Sequence, residues 1–501
     1  MKILLIKPPL TLPRNFKGIA RFFPPIGLGY IAASLEKNGY EANILDAGIE
    51  KWNKINERGN DVKYLGMSWK DITERLKQEN PDIVGISILT VEAINASLTA
   101  KAVKNANKNI KVVAGGPHVC VRPEQTISDP NIDIIILGEG EVTIVELIKT
   151  LDKGKPLKDV KGIWYKENGK IIKNELRPLI QNLDELPFPA WHLMNMKKYF
   201  DATKYLQGSR SIPERGLSII TSRGCPFACV FCTIRLSMGR GFRARSPENV
   251  VDEIEQIIEK YDVKYIGFED DNLTFDMKRM EKLCDLMITK GLNKKISWDT
   301  PNGVRADTLN ENLLKKMKEA GCRGIIVAPE SGSQFVVDNI IGKKLDLKTV
   351  ENAVKLCKKI GIKCGCFFVI GLSGENIKQI EETVDFANKM RSLGAIPFCS
   401  IAWPYYGSDL YKIAKEKGYL LKKDGEELEL GLLNLEALIK TPEFSPEQLY
   451  KYQKMIQGET ELNELFDLIK TRPLDTLRGF FLHPIFITRY LLKNYILRMK
   501  K

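Results

Sequence analysis

Three cysteines, Cys225, Cys229 and Cys232, stand in the run Ser222-Arg223-Gly224-Cys225-Pro226-Phe227-Ala228-Cys229-Val230-Phe231-Cys232. Thiolates are the protein ligands of iron–sulfur clusters, normally four to a cubane. No fourth cysteine lies near this trio. The spacing, three residues and then two, suits a four-iron cluster in which one iron is left open to another ligand. A structural zinc loop on the C-x-x-C pair is the alternative. Such sites take four N or S ligands, and His118, His192 and His483 all lie outside the loop. Ten cysteines spread over 501 residues do not read as a disulfide framework, and their usage predicts a reducing cytoplasm.

The same spacing resembles the radical SAM signature. The resemblance implies that the open iron chelates the amino and carboxylate groups of S-adenosylmethionine (SAM) and delivers the electron that breaks its carbon–sulfur bond. An electron donor such as ferredoxin or flavodoxin is then expected.

Elements must hold such a loop. From Leu217 to Ser222 a short β-rich run leads into it, and strands and helices alternate afterwards. Strands are predicted at Tyr265 to Glu269, Ser297 to Asn302, Gly324 to Ala328, Lys363 to Ile370 and Phe398 to Ala402. Helices are predicted at Pro247 to Tyr261, Asp276 to Lys290, Glu311 to Ala320, Leu347 to Ile360 and Ile377 to Arg391. Six strands make a partial (β/α)6 barrel over 216–402, with its site at the carboxyl ends. There Glu269-Asp270-Asp271 resembles the family's site for the SAM amino group, and Glu330-Ser331 its segment for the ribose and carboxylate. Phe231 precedes the third cysteine, where the family sets an aromatic ring against adenine. Each has a plainer alternative: Asp270 suits a helix cap or turn, and Arg305 pairs either with a SAM carboxylate or with Asp307. Gly371-Leu372-Ser373-Gly374-Glu375 resembles a family turn, and an ordinary strand–helix turn explains it equally. Cys364 and Cys366 share one strand face and read as buried, inert thiols.

Residues 1–150 also alternate. Strands at Lys2 to Ile6, Ala42 to Asp46, Ile83 to Ser87, Lys111 to Ala114 and Ile132 to Leu137 are separated by helical stretches near Ile26 to Lys37, Trp69 to Gln78, Val91 to Asn105 and Glu141 to Leu151. This is a doubly wound, Rossmann-like parallel sheet, which binds ligands beyond its carboxyl ends. Those ends, with Phe23-Pro24-Pro25-Ile26-Gly27 and Val113-Ala114-Gly115-Gly116-Pro117-His118, resemble the cobalamin-binding domain of cobalamin-dependent radical SAM enzymes. The resemblance runs from residue 1 to about 400. It implies corrin contacts at Pro9, Gly27, Ser87, Thr90, Gly115, Gly116, Pro117, His118, Gly138, Glu139 and Gly140. Any one of these glycines alone is explained by a βα turn. No histidine has an aspartate two residues before it, so the D-x-H-x-x-G ligand motif is missing. Cobalamin is expected without a histidine ligand, and His118 equally suits a turn with its ring on a backbone carbonyl.

Residues 151–215 read as a linker, with a hairpin at Asn168-Gly169 and a proline-stiffened stretch from Leu186 to Trp191. Residues 403–501 read as helical. Their tail, Leu474 to Lys501, mixes apolar and basic residues and is expected either to lie on a lipid surface or to cover the barrel mouth. Met1 to Lys7 runs into Pro8-Pro9, too short for a signal peptide or membrane span. The net charge of +13 comes from scattered lysines without a recognition motif, so no nucleic acid is expected.

Three functions fit. The first is methyl transfer to an unactivated carbon or, less often, phosphorus. By resemblance, one SAM methylates cob(I)alamin, a second yields a 5'-deoxyadenosyl radical that takes a substrate hydrogen, and the substrate radical takes the methyl group. The others are a cobalamin-assisted cyclisation or rearrangement, and a sensor or electron carrier without SAM chemistry. The substrate is expected to be a small molecule, a lipid or a peptide.

Overall fold

The computed structural model describes residues 1–13, 22–58, 62–205, 215–433 and 435–458. Successive residues of the first strand, Lys2–Lys7, face opposite ways. Ile3 and Leu5 pack in one apolar layer with Leu28, Leu35 and Leu147, while Leu4 and Ile6 pack in another with Ile72, Leu76 and Val103. A strand apolar on both faces needs helices on both faces. Here they are Ile26–Lys37 and Gly140–Asp152 on one side and Trp69–Glu79 and Ala93–Ala106 on the other.

The sheet they enclose runs in the order Lys170–Lys173, Ile163–Glu167, Ile134–Ile136, Lys111–Gly115, Ile83–Ser87, Lys2–Lys7, Glu41–Asp46. Its five strands before residue 140 are parallel, and the winding reverses between Lys2–Lys7 and Ile83–Ser87, which makes that gap the switch point. The Asn168-Gly169 hairpin forms as its turn residues require, both at positive φ. It does not hang free between two units, because Ile163–Glu167 pairs antiparallel with Ile134–Ile136 and extends the first sheet. The connector is also held farther on: Tyr199 donates to Asp46 at 2.8 Å.

The second sheet has six parallel strands in chain order, Gly216–Ile219, Tyr265–Phe268, Ser297–Val304, Cys322–Glu330, Lys363–Ile370 and Ile396–Ile401. Five helices connect them: Pro247–Tyr261, Met277–Thr289, Glu311–Glu319, Leu347–Ile360 and Ile377–Ser392. Local signals set their ends. Ser246 caps Pro247–Tyr261 through the Asn249 amide, and Asp262 stops it at φ 51°. The open edge at Ile396–Ile401 is covered by helix Pro446–Gln457, whose Gln453 and Gln457 amides donate to the Cys399 carbonyl at 3.0 and 2.8 Å.

An antiparallel sheet of Leu10–Pro13, Val62–Leu65 and Ile55–Arg58 was not expected. Fully buried Asn95 ties it to the first sheet, accepting from Arg58 at 2.9 Å and donating to the Pro9 carbonyl at 2.9 Å. No described helix is long and apolar enough to cross a membrane. The basic, apolar tail Leu474 to Lys501 lies outside the described residues.

Beside the switch point, Glu92 is 2% exposed. Burial pushes its carboxyl up to about 7 from an ordinary 4.5, with Lys7 opposing and Asp46 reinforcing the shift. The folded chain therefore holds this proton more tightly than the unfolded chain. Its stability is fullest below pH 4.5, falls as pH rises to about 7 and is flat above. Glu92→Gln should raise the unfolding free energy by about 3 kcal/mol at pH 8 and leave it unchanged at pH 4. Chemical denaturation at the two pH values checks this, and an equal effect at both would refute it.

Candidate active site

The cysteine loop leaves the first strand of the second sheet through a turn built on buried Asp270. That carboxylate accepts from the Thr221 amide and hydroxyl, at 3.2 and 2.7 Å, and from the Ser222 hydroxyl. Gly224 follows at φ 81°, and a Cβ there would stand 2.3 Å from the Gly241 carbonyl oxygen. Only glycine fits. Its amide donates to Asp271 at 3.0 Å, and burial pushes the Asp271 carboxyl up to about 6. Farther along, the Val230 amide donates to Ile341 and the Val230 carbonyl accepts from Leu410, which pins the loop between two other segments.

All three thiols of Cys225, Cys229 and Cys232 are half-buried and close enough to influence one another. Burial pushes each up, Cys229 to about 11, with the Lys343 ammonium opposing at Cys229. Among the described residues no three Cys, His, Asp or Glu side chains converge as ligands of a single ion do. Three thiols on one loop are the protein ligands that an iron–sulfur cubane with one open iron would take.

Around these thiols stand Asp271, Glu330, Lys343 and Arg305. Lys343, which the motifs did not point to, is buried and donates to Glu330 at 2.8 Å. Glu330 itself is held at φ 69°, unusual for a residue with a side chain. Arg305 is not free for a carboxylate ligand. It grips Asp307 with two bonds, at 3.0 and 2.7 Å, and donates to the Lys343 carbonyl at 3.0 Å. Its guanidinium lies 3.9 Å from the Phe227 ring centroid, so it buttresses the cysteine loop instead.

Ser331 is fully buried, its hydroxyl 2.9 Å from Thr383 and accepting from the Ser333 amide. The strand end must close there because a Cβ on Gly332 would sit 2.5 Å from Phe386. Glu269 remains half-buried, accepting from Ser218 at 3.1 Å, and burial raises its carboxyl. Phe231 is half-buried against the core. Cys364 and Cys366 are buried.

The carboxyl ends of the first sheet divide into two groups. Gly27 and Gly138 have nothing within 4 Å of where a Cβ would be, and Gly115 meets only Ile136 at 3.9 Å. Ser87 and Thr90 are half-buried and Pro117 exposed, beside exposed Leu89 and Val142. These positions leave the backbone open to the approach of a ligand at the strand ends.

The second group makes contacts within the chain. Pro9 is buried with its carbonyl taken by Asn95. Gly116 needs its φ of 107° to pass the Ile88 carbonyl oxygen, and Gly140 clears Ile31. Glu139 is turned away toward Arg223 and Arg243. His118 is buried with its Nδ1 3.3 Å from the Thr90 hydroxyl, not on a backbone carbonyl. Burial, then Arg122, pushes its imidazole down to about 4.

Two family models match the chain. A family model for the radical SAM superfamily covers residues 219–387, and one for the B12 binding domain covers 19–148. An uncharacterized methyltransferase of Pyrococcus horikoshii is 34% identical over 99% of this chain and 98% of its own. The cytidylyl-2-hydroxyethylphosphonate methyltransferase of Streptomyces wedmorensis is 34% identical over 88% of this chain and 86% of its own. An anaerobic magnesium-protoporphyrin IX monomethyl ester cyclase of Rubrivivax gelatinosus is 28% identical over 83% and 70%. The radical SAM methyltransferase TsrM from Kitasatospora setae, solved with cobalamin and a [4Fe-4S] cluster bound, shares the fold. It has a TM-score of 0.65 and 15% identity, covering 92% of this chain and 89% of that one.

Anaerobic reconstitution should load about four irons per chain, and replacing Cys225, Cys229 and Cys232 together by alanine should abolish loading. Full iron in the triple variant, or one zinc without iron in the wild type, would contradict the cluster assignment. At the other site, Gly27→Leu enters open space on a helix and should not lower stability, since leucine is the better helix former by about 1 kcal/mol. It should weaken cobalamin retention at least tenfold, read by absorbance after desalting. Unchanged retention would move the corrin elsewhere.

Proposed function

Because the chain belongs to the cobalamin-dependent radical SAM enzymes, with a [4Fe-4S] cluster, SAM and cobalamin as its cofactors, we propose that it places a methyl group on an unactivated carbon of a small molecule. One observation carries this reading. The three thiols and the open glycines Gly27, Gly115 and Gly138 both stand at carboxyl ends of parallel sheets, joined through the segment Gly138 to Glu141. When bound, the cluster and SAM supply a carbon-centred radical and cobalamin supplies a transferable methyl group.

In this reading Cys225, Cys229 and Cys232 hold the cluster. Lys343 sets a positive charge beside the thiolates, and Glu330 keeps that ammonium in place through their 2.8 Å bond. Asp271 fixes the Gly224 amide and so the start of the loop. Glu269 offers a carboxylate toward an ammonium group of a ligand. Gly27, Gly115 and Gly138 leave room for a macrocycle. Helix Asp409–Glu416 is fastened to the loop by the Leu410 amide on the Val230 carbonyl and to the residues after it by Arg235 and Asp409, 2.7 Å apart.

The cyclase relative gives a second reading, ring formation without methyl transfer. Product analysis separates the two. With reductant, methyl-labelled SAM and candidate acceptors, cytidylyl-2-hydroxyethylphosphonate first among them, the enzyme should form S-adenosylhomocysteine and 5'-deoxyadenosine in roughly equal amounts and label the product. Altered substrate with 5'-deoxyadenosine but no S-adenosylhomocysteine and no label would establish cyclisation instead. Absence of both nucleosides with every acceptor would end the enzyme reading.

A further inference from the structure

Four charged side chains are buried together where the two sheets meet: Glu139 at 7%, Glu141 at 6%, Arg223 at 6% and Arg243 at 8% exposure. Arg223 donates to Glu139 at 2.8 Å and to Glu141 at 2.6 Å. Arg243 donates to both oxygens of Glu139, at 2.9 and 2.8 Å, and to the Met238 carbonyl at 2.9 Å. The remaining capacity of Glu139 is filled by the Ile180 amide at 2.7 Å. Two positive and two negative groups balance, as buried charges must.

Their places in the chain give the cluster its meaning. Arg223 and Arg243 are directly opposite in a two-residue antiparallel pair, Ser222–Arg223 with Arg243–Ala244, so both guanidiniums leave the same face. Arg223 is two residues before Cys225. Glu139 and Glu141 flank Gly140 at the start of helix Gly140–Asp152, just after Gly138, which has open space where a Cβ would be. One short path therefore joins the proposed corrin site to the proposed cluster loop, and planar guanidiniums on carboxylates fix direction as well as distance. The Tyr30 ring stands over Arg223 at 5.3 Å, and its hydroxyl accepts from Arg245 at 3.3 Å, closing the seam from the first sheet's side.

We infer that Glu139, Glu141, Arg223 and Arg243 are positioning residues that set the separation and angle between the two cofactor sites. The inference rests on the reading above for what the sites hold, and needs neither substrate nor methyl transfer for its test. Two variants are compared with wild type, each loaded with both cofactors. Glu141→Gln keeps an acceptor for Arg223 but removes the charge. The double variant Glu141→Met with Arg223→Met replaces the pair by apolar groups, an exchange that buried pairs often tolerate.

The measurement is the magnetic dipolar coupling between the reduced cluster and cob(II)alamin. The wild type should give one narrow coupling. The double variant should retain iron and cobalamin but give a broadened or shifted one, with Glu141→Gln between them. An unchanged coupling in both variants, with only a lower melting temperature, would show that the seam merely stabilises. Failure of the wild type to bind both cofactors would remove the reading of the sites, and this inference with it.

Discussion

Two arginines flanking the cysteine loop are buried, and the carboxylates that neutralise them come from the other sheet, 84 and 104 residues earlier in the chain. Leaving a buried charge unpaired costs several kcal/mol, so the loop cannot take this shape unless the first sheet is docked with its carboxyl ends toward it. Parallel sheets present their ligand-binding loops at one end. Charge pairing thus selects, out of many possible arrangements of two α/β units, one in which the two sets of loops adjoin. The connector agrees with it. Ala190 donates to the Gly29 carbonyl, and Gly29 itself lacks a Cβ that would meet Met194 at 2.6 Å and Pro189 at 2.9 Å. The indole of Trp191 then reaches Glu253 in the second unit at 3.2 Å.

Unfavourable conformations concentrate beside the thiols. Glu330 holds a left-handed backbone, residues 336–340 widen into a π-helix, and Lys343 is buried with one carboxylate partner. Each is costly alone. They are consecutive parts of one passage of chain, from the strand end to the Ile341 carbonyl that accepts from Val230. The ion pair between Lys343 and Glu330 spans the widened helix and fastens its two ends. Such features persist where surrounding contacts over-determine them. Here those contacts are the Arg305 bond to the Lys343 carbonyl and the Val230 pin, so the cysteine loop and the passage beside it brace each other.

What could be read in the residues follows from how local the signal is. Helices Pro247–Tyr261 and Leu347–Ile360 and strands Ile83–Ser87 and Lys363–Ile370 begin and end as their apolar periods and caps indicate. The antiparallel sheet of Leu10–Pro13, Ile55–Arg58 and Val62–Leu65 escaped notice because four-residue strands carry too few alternations to register. The Asn168-Gly169 turn was legible while its membership of the first sheet was not, since strand pairing across tens of residues leaves no local mark. Arg305 had two partners open to it, and the nearer, Asp307, holds it. At Glu139 the glycines of Gly-Glu-Gly-Glu suggest a ligand turn, and only the fold reveals that Arg223 and Arg243 stand opposite it. Lys343 stands in no motif, and its meaning depends entirely on Glu330 and the thiols.

The turn Gly138 to Glu141 shows why this arrangement suits chemistry shared between two cofactors. Gly138 leaves open space, and Gly140 lets the chain pass Ile31. The glutamates beside them face the seam. One four-residue segment thereby joins the proposed corrin site to the bond that orients the second unit. Reacting groups held about 1 Å out of place lose rate by roughly 10²-fold, and a flexible tether between two independently tumbling units could not hold that tolerance. Apolar contact alone would keep the units together but lets them slide, because it is non-directional. Paired guanidinium and carboxylate groups do not allow sliding: a small displacement exposes lone charges in a dry seam. Directional pairing at the point nearest both sites therefore serves alignment better than a larger greasy interface would.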